Sequence, residues 1–240
     1  MTYKIPYKEL EKIGMTKERV DALPEDVKQT LTSGGLTPLL SFKREMDNGV
    51  SVLIPFKLQI QQDGAGKEKL VIYPMNRNFI NSINLAADEF KKLKDGKVIL
   101  SDNKYIQRDP ETNCILMKPT RQLEVEKRLA EIEKVKDIEL GSLQKDRIKE
   151  GKPVELNVGG EKVTVGLDLR DKDHFKTLKG DMQEWKCQQE IDYDIAHPEF
   201  VGLVQTDQNR WEKQMVSKEG LNSQTLKEHP AQTRSSGMRI

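Results

Sequence analysis

Cysteine is nearly absent from the 240-residue chain: Cys114 and Cys187 lie far apart and form no paired motif. That excludes a disulfide framework, suits a reducing cytosol, and leaves both as ordinary thiols. Histidine is scarce too. His174, His197 and His229 are scattered, and no G-x-S-x-G, H-E-x-x-H or dinucleotide fingerprint occurs, so the sequence offers no recognisable catalytic constellation and no cofactor is expected. Long apolar runs are missing; none approaches the ~20 residues a membrane helix requires. The opening Met1-Thr2-Tyr3-Lys4-Ile5-Pro6 has no apolar core of a secretory signal. Together these predict a cytoplasmic protein with no membrane partner. Nor is there an excess of either charge: 40 basic and 39 acidic residues give a net charge of +1. That argues against a strongly basic nucleic-acid binder, while a localised patch stays compatible with it.

What the chain does contain is a repeated phrase. Lys94-Asp95-Gly96-Lys97-Val98-Ile99-Leu100 recurs as Lys149-Glu150-Gly151-Lys152-Pro153-Val154-Glu155-Leu156. Each copy follows an amphipathic segment and opens a β-rich stretch. Gly96 and Gly151 stand at the helix-to-strand corner, where a residue without Cβ can take φ > 0. The repeat reads as scaffold, with no reactive pocket at the corners.

The remaining pattern is α+β: short N-terminal helices, then repeated helix-plus-antiparallel-hairpin units, then a disordered tail. Three helices are expected within residues 6–35, with Pro6 and Pro24 at helix starts and Thr16 as an N-cap. Alternating apolar residues then predict a hairpin over residues 50–73, with Pro55 marking an edge or bulge. Ile80, Ile83, Ala87 and Phe90 have helical spacing and predict one continuous helix. A hairpin turning at Asp109–Asn113 follows, then a charged helix after Pro119. If Gly159-Gly160 is a two-residue loop, Leu156 faces Val163 and Val154 faces Val165 on one apolar face, with Glu155, Asn157, Lys162 and Thr164 on an open polar face. Phe200–Val204 reads as one more strand. The expected units are 1–118 (helical cap plus first sheet), 119–216 (second helix–hairpin with the Trp-containing segment) and the tail 217–240, which lacks apolar periodicity.

Three constellations bear on function. Asp168-Leu169-Arg170-Asp171-Lys172-Asp173-His174 concentrates oxygen ligands and an imidazole, but lacks the Gly and distal Glu of a calcium loop and carries its own bases. A metal-dependent enzyme built on it is the least favoured reading. Lys17 and Arg19 would open the second helix of a helix–turn–helix and approach phosphates, opposed by Glu18, Asp21, Glu25 and Asp26. Trp185 and Trp211 either anchor an interface or close small cores.

The segments Ile5–Thr16, Leu23-Pro24 and Gly34–Leu40 resemble an uncharacterised family carried by Bacteroides-group bacteria and their conjugative elements. The two Gly-Lys phrases resemble a repeat module from the same setting, and Val163–Leu169 with Gly180-Asp181 and Trp185-Lys186 is similar to the distal part of those proteins. Related modules are appended to type IA topoisomerases, which implies a DNA-processing context. The chain is far too short for the topoisomerase core and has no nucleophilic Tyr motif. The resulting expectation is a non-enzymatic accessory protein of a mobile element that docks another protein of that element, with direct DNA binding as the alternative.

Overall fold

The computed structural model describes residues 2–45, 51–62, 66–136, 139–171, 173–193 and 199–218. Helices α1 (Tyr7–Glu11), α2 (Lys17–Asp21) and α3 (Glu25–Thr32) open the chain. Pro6 and Pro24 sit at the N-cap positions of α1 and α3, and the Thr16 hydroxyl caps α2 by accepting the Arg19 N–H at 3.4 Å. Leu10, Val20, Val27 and Leu31 of this cap pack on Phe42, Phe56, Leu58 and Ile60. Those four come from one face of β1 (Leu40–Glu45) and β2 (Ser51–Gln62), to which β3 (Glu68–Pro74) adds an antiparallel neighbour. β1 is not among the strands expected from the sequence. Pro55 lies inside β2, opposite Ser41 of β1 and just before pairing with β3 begins at Phe56. Its missing N–H thus falls where no β3 ladder has started.

The helix expected from Ile80 begins only at Ala87 (α4, Ala87–Lys94). The Asn81 side chain accepts from the Leu85 N–H at 2.9 Å and donates to its carbonyl at 2.8 Å, and Asn84 takes φ +56. Such local side-chain bonds compete with helix formation, and Ile80 is left exposed.

Both glycine phrases end a helix and start a sheet. In the first, α4 is followed by β4 (Ile99–Ser101), β5 (Lys104–Asp109) and β6 (Cys114–Pro119). Next, α5 (Thr120–Leu123) and α6 (Val125–Lys136) are separated by Glu124 at φ +43. In the second, α7 (Ser142–Lys149) leads into β7 (Val154–Val158), β8 (Glu161–Leu167) and β9 (Phe175–Lys179). Each unit is therefore a three-stranded antiparallel meander rather than a hairpin. The register of the second is the one its apolar pattern specifies, Leu156 opposite Val163 and Val154 opposite Val165. Its other face is not open. Helix α8 (Met182–Tyr193) lies there, with Trp185 against Gly166.

The meanders bury against each other. Tyr105 and Leu116 of the first share a core with Leu156, Val163, Val165 and Leu167 of the second, and Leu123 and Leu129 of α5 and α6 join it. The copies differ in phase: Val154 enters this shared core, whereas Ile99 faces a separate cluster with Leu93 and Ile106. Finally β10 (Glu199–Gln205) runs parallel to β1 and pairs with β11 (Trp211–Ser217), completing a five-stranded sheet in the order β11-β10-β1-β2-β3. The expected division at 118/119 is thus crossed twice, by the shared core and by a C-terminal hairpin that joins the N-terminal sheet. The tail expected from 217 lies outside the described residues, apart from Ser217 and the buried Lys218.

Candidate functional site

The two glycine corners meet. Gly96 and Gly151 have φ +74 and +81, and the N–H one residue later bonds back across the helix end in each (Lys97 to Lys92 O, Lys152 to Arg147 O, 3.0 and 2.9 Å). This Schellman closure turns the Lys of each phrase off the helix axis. A Cβ on Gly151 would come within 2.8 Å of the Val98 carbonyl oxygen, so the second corner packs directly on the first. The Tyr105 hydroxyl donates to the Lys149 carbonyl at 2.8 Å, and the Gln189 amide of α8 donates to the Gly96 carbonyl at 3.2 Å.

Between the corners lies a cleft of about 600 Å³. Ile99, Leu100, Pro153, Leu167, Met182 and Trp185 give it an apolar lining. Lys92, Lys97, Arg147, Lys152 and Lys186 supply cations, against Glu89 and Glu150. Lys152 holds Glu150 at 2.6 Å, an arrangement that keeps the Glu150 carboxyl below its ordinary range. Lys92 is 3.4 Å from Asp88. For Lys97 and Lys186 the described residues provide no ion-pair partner, while the Arg147 charge also acts on Glu150. The expectation that the corners serve packing alone is therefore corrected: both copies contribute ionisable groups to one cleft. The recurrence of Lys after each glycine was the signal in the sequence.

Of the interaction residues expected from sequence, Trp185 lines the cleft, and Trp211, Lys17 and Arg19 fall elsewhere. Trp185 is only 4% exposed; its ring forms the cleft floor, and its buried indole N–H has no acceptor among the described residues. Trp211 donates its indole N–H to the Arg19 carbonyl at 3.0 Å and packs against the N-terminal core. Both tryptophans pack against cores, Trp185 buried and Trp211 partly buried, which is the core-closing alternative of the two the sequence leaves open. Arg19 is likewise committed inward, with its guanidinium donating to the Gly14 carbonyl at 2.7 Å and lying 4.6 Å from the Phe42 ring centre. Only Lys17 of that pair is exposed, so the two do not form a phosphate-facing pair. Gly159 and Gly160 (φ +59 and +86) make the β7–β8 turn, away from the cleft.

In the acidic loop, Asp168 is engaged by Arg170 in a forked pair at 2.8 and 2.7 Å, and His174 Nδ1 sits 3.0 Å from the Asp171 carbonyl. No group of three His, Cys, Asp or Glu side chains among the described residues could hold a metal. Cys114 accepts from the Asn76 amide at 3.2 Å, and burial pushes its thiol up to about 11, so it is not a thiolate near neutral pH.

A second polar cluster is structural. Lys57 of β2 bonds Asp109 at 2.9 Å and Glu111 at 3.1 Å, while Asp109 also accepts from the Thr112 hydroxyl at 2.6 Å. Burial opposes the charge on both partners, but mutual attraction prevails: Lys57 is raised and Asp109 lowered. The pair ties the five-stranded sheet to the β5–β6 turn.

Among the described residues no helix is long and apolar enough to cross a membrane. No curated protein and no solved structure matches the chain. Residues 2–82 match the model of a family described as "Protein of unknown function (DUF4099)", a stretch that spans the helical cap through β3 and ends before the cleft.

Proposed function

We propose that this is a non-enzymatic binding protein that takes its partner in the cleft between the two glycine corners. One observation carries the reading: exposed cations from both copies converge over an apolar floor. Such a lining suits recognition, which needs an apolar seat and a few directing charges. Catalysis needs acid–base groups with displaced pKa values held within reach of each other. The groups most displaced from their ordinary range, such as His174, Lys118 and Lys218, are not among the cleft residues.

With the resemblance to proteins of conjugative elements, the reading becomes a cytoplasmic accessory protein that docks another protein of such an element. Direct nucleic-acid binding is the second reading, favoured by the local surplus of cations in a chain of near-zero net charge. The test is co-purification from the native host. Lys97→Glu with Arg147→Glu should abolish capture of the partner without moving the thermal midpoint, and nuclease should have no effect. Loss of capture with Lys17→Glu instead, or on nuclease treatment, would move the site or change the ligand class.

A further inference from the structure

Resting on that reading, we infer that the cleft takes an extended acidic segment of a protein partner, with an apolar side chain seated between the corners. The charge balance selects the sign. Five cations face two carboxylates, and Lys97 and Lys186 have no ion-pair partner among the described residues. An anionic occupant would pair them at the rim, where water keeps each pair modest and partner choice is set by complementarity.

The lining selects against nucleic acid. A single strand is held by aromatic faces on which bases stack. Here the aromatic residue is Trp185, 4% exposed, with its ring edge packed on Gly166. The accessible apolar surface is aliphatic instead: Leu100 is 44% exposed, and Pro153 and Met182 are half-buried. Aliphatic surface between cations matches a peptide that alternates carboxylates with apolar side chains. The backbone adds a further element. β4 is an edge strand, hydrogen-bonded only to β5 in its sheet, and it lines the cleft. A free edge accepts an extended chain alongside it, with alternate side chains turned toward the floor.

The test uses the full chain and four labelled probes followed by fluorescence anisotropy: a Glu/Leu alternating peptide, a Glu/Ser peptide, a Lys/Leu peptide and an oligothymidylate. The Glu/Leu peptide should bind at least about tenfold tighter than the other three, weaken with salt, and lose at least about tenfold on Lys97→Glu with Arg147→Glu. Lys97→Gln with Arg147→Gln, which removes charge without adding repulsion, should show the same loss in smaller degree with an unchanged thermal midpoint. Equal binding of Glu/Ser and Glu/Leu peptides would overturn the apolar seat. Oligothymidylate binding that competes with the peptide would overturn the assignment to an acidic protein segment. If no peptide binds while cleft substitutions still abolish partner co-purification, the acidic-segment inference fails and the binding site stands. If neither measurement responds to the cleft, both fail.

Discussion

Gly151 has two reasons to be glycine, and they separate experimentally from the one at Gly160. Both residues have positive φ, but a Cβ at Gly151 meets the Val98 carbonyl at 2.8 Å, while at Gly160 it meets open space. Gly160→Ala should cost about 1–2 kcal/mol, the left-handed penalty alone. Gly151→Ala should cost distinctly more by urea titration, because the backbone of the other corner must move. Equal costs would mean the corners are not in contact. His174 gives a second test at this scale. Burial, with repulsion from Lys118 and Arg128, pushes its imidazole down from 6.5 to about 4. The unfolded chain therefore takes up the proton first, so this stabilising contribution is intact above pH 6.5 and is lost as pH falls toward and through about 4. His174→Asn suits the φ of +61 and removes the titration. Across that window wild type should lose on the order of 2–3 kcal/mol relative to the variant. Parallel pH profiles would show an imidazole that titrates normally.

Among elements, the Lys57–Asp109 bridge between β2 and the β5–β6 turn is the clearest case of a contact the sequence could not announce. Their side chains are 6% and 0% exposed. Lys57→Met should destabilise by about 3–5 kcal/mol, because Asp109 is left charged and buried. Lys57→Met with Asp109→Leu should recover much of that loss, and a double variant no better than the single would show the pair itself to be required. What was legible at this scale was periodic and local: the three-helix cap, the meander register at Leu156 and Val163, and the helix–glycine–strand corners. What was not legible was set by competition or by distance. Asn81 diverts the chain from a helix that the spacing of Ile80 and Ile83 favours. β10 finds a parallel partner far back in the chain, a pairing that no local pattern encodes. The face opposite Val163 and Val165 reads as polar because Gly166 and Thr164 carry no apolar signal, yet Gly166 is the surface on which Trp185 rests. The cleft was half legible: its cations at Lys97 and Lys152 are written into the repeat, but that the copies face each other is a tertiary fact.

For the molecule as a whole, the five-stranded sheet joins the two ends of the described chain, and one core joins both meanders. That arrangement should unfold as a single unit. The two tryptophans report on different parts, Trp211 on the N-terminal core and Trp185 on the second meander. Denaturation followed by Trp185 alone in Trp211→Phe, and by Trp211 alone in Trp185→Phe, should show one transition in each variant that coincides with its far-ultraviolet circular dichroism. A fluorescence transition offset from the circular dichroism would reveal independent domains. The proposed binding function requires the two corners to act as one site. A photo-reactive side chain placed at position 97, at 152 and, for comparison, at 17 in the full chain tests that most directly. Positions 97 and 152 should crosslink to one and the same segment of the co-purifying partner, with position 17 silent; label at 17 alone, or on unrelated segments from 97 and 152, would contradict a shared cleft.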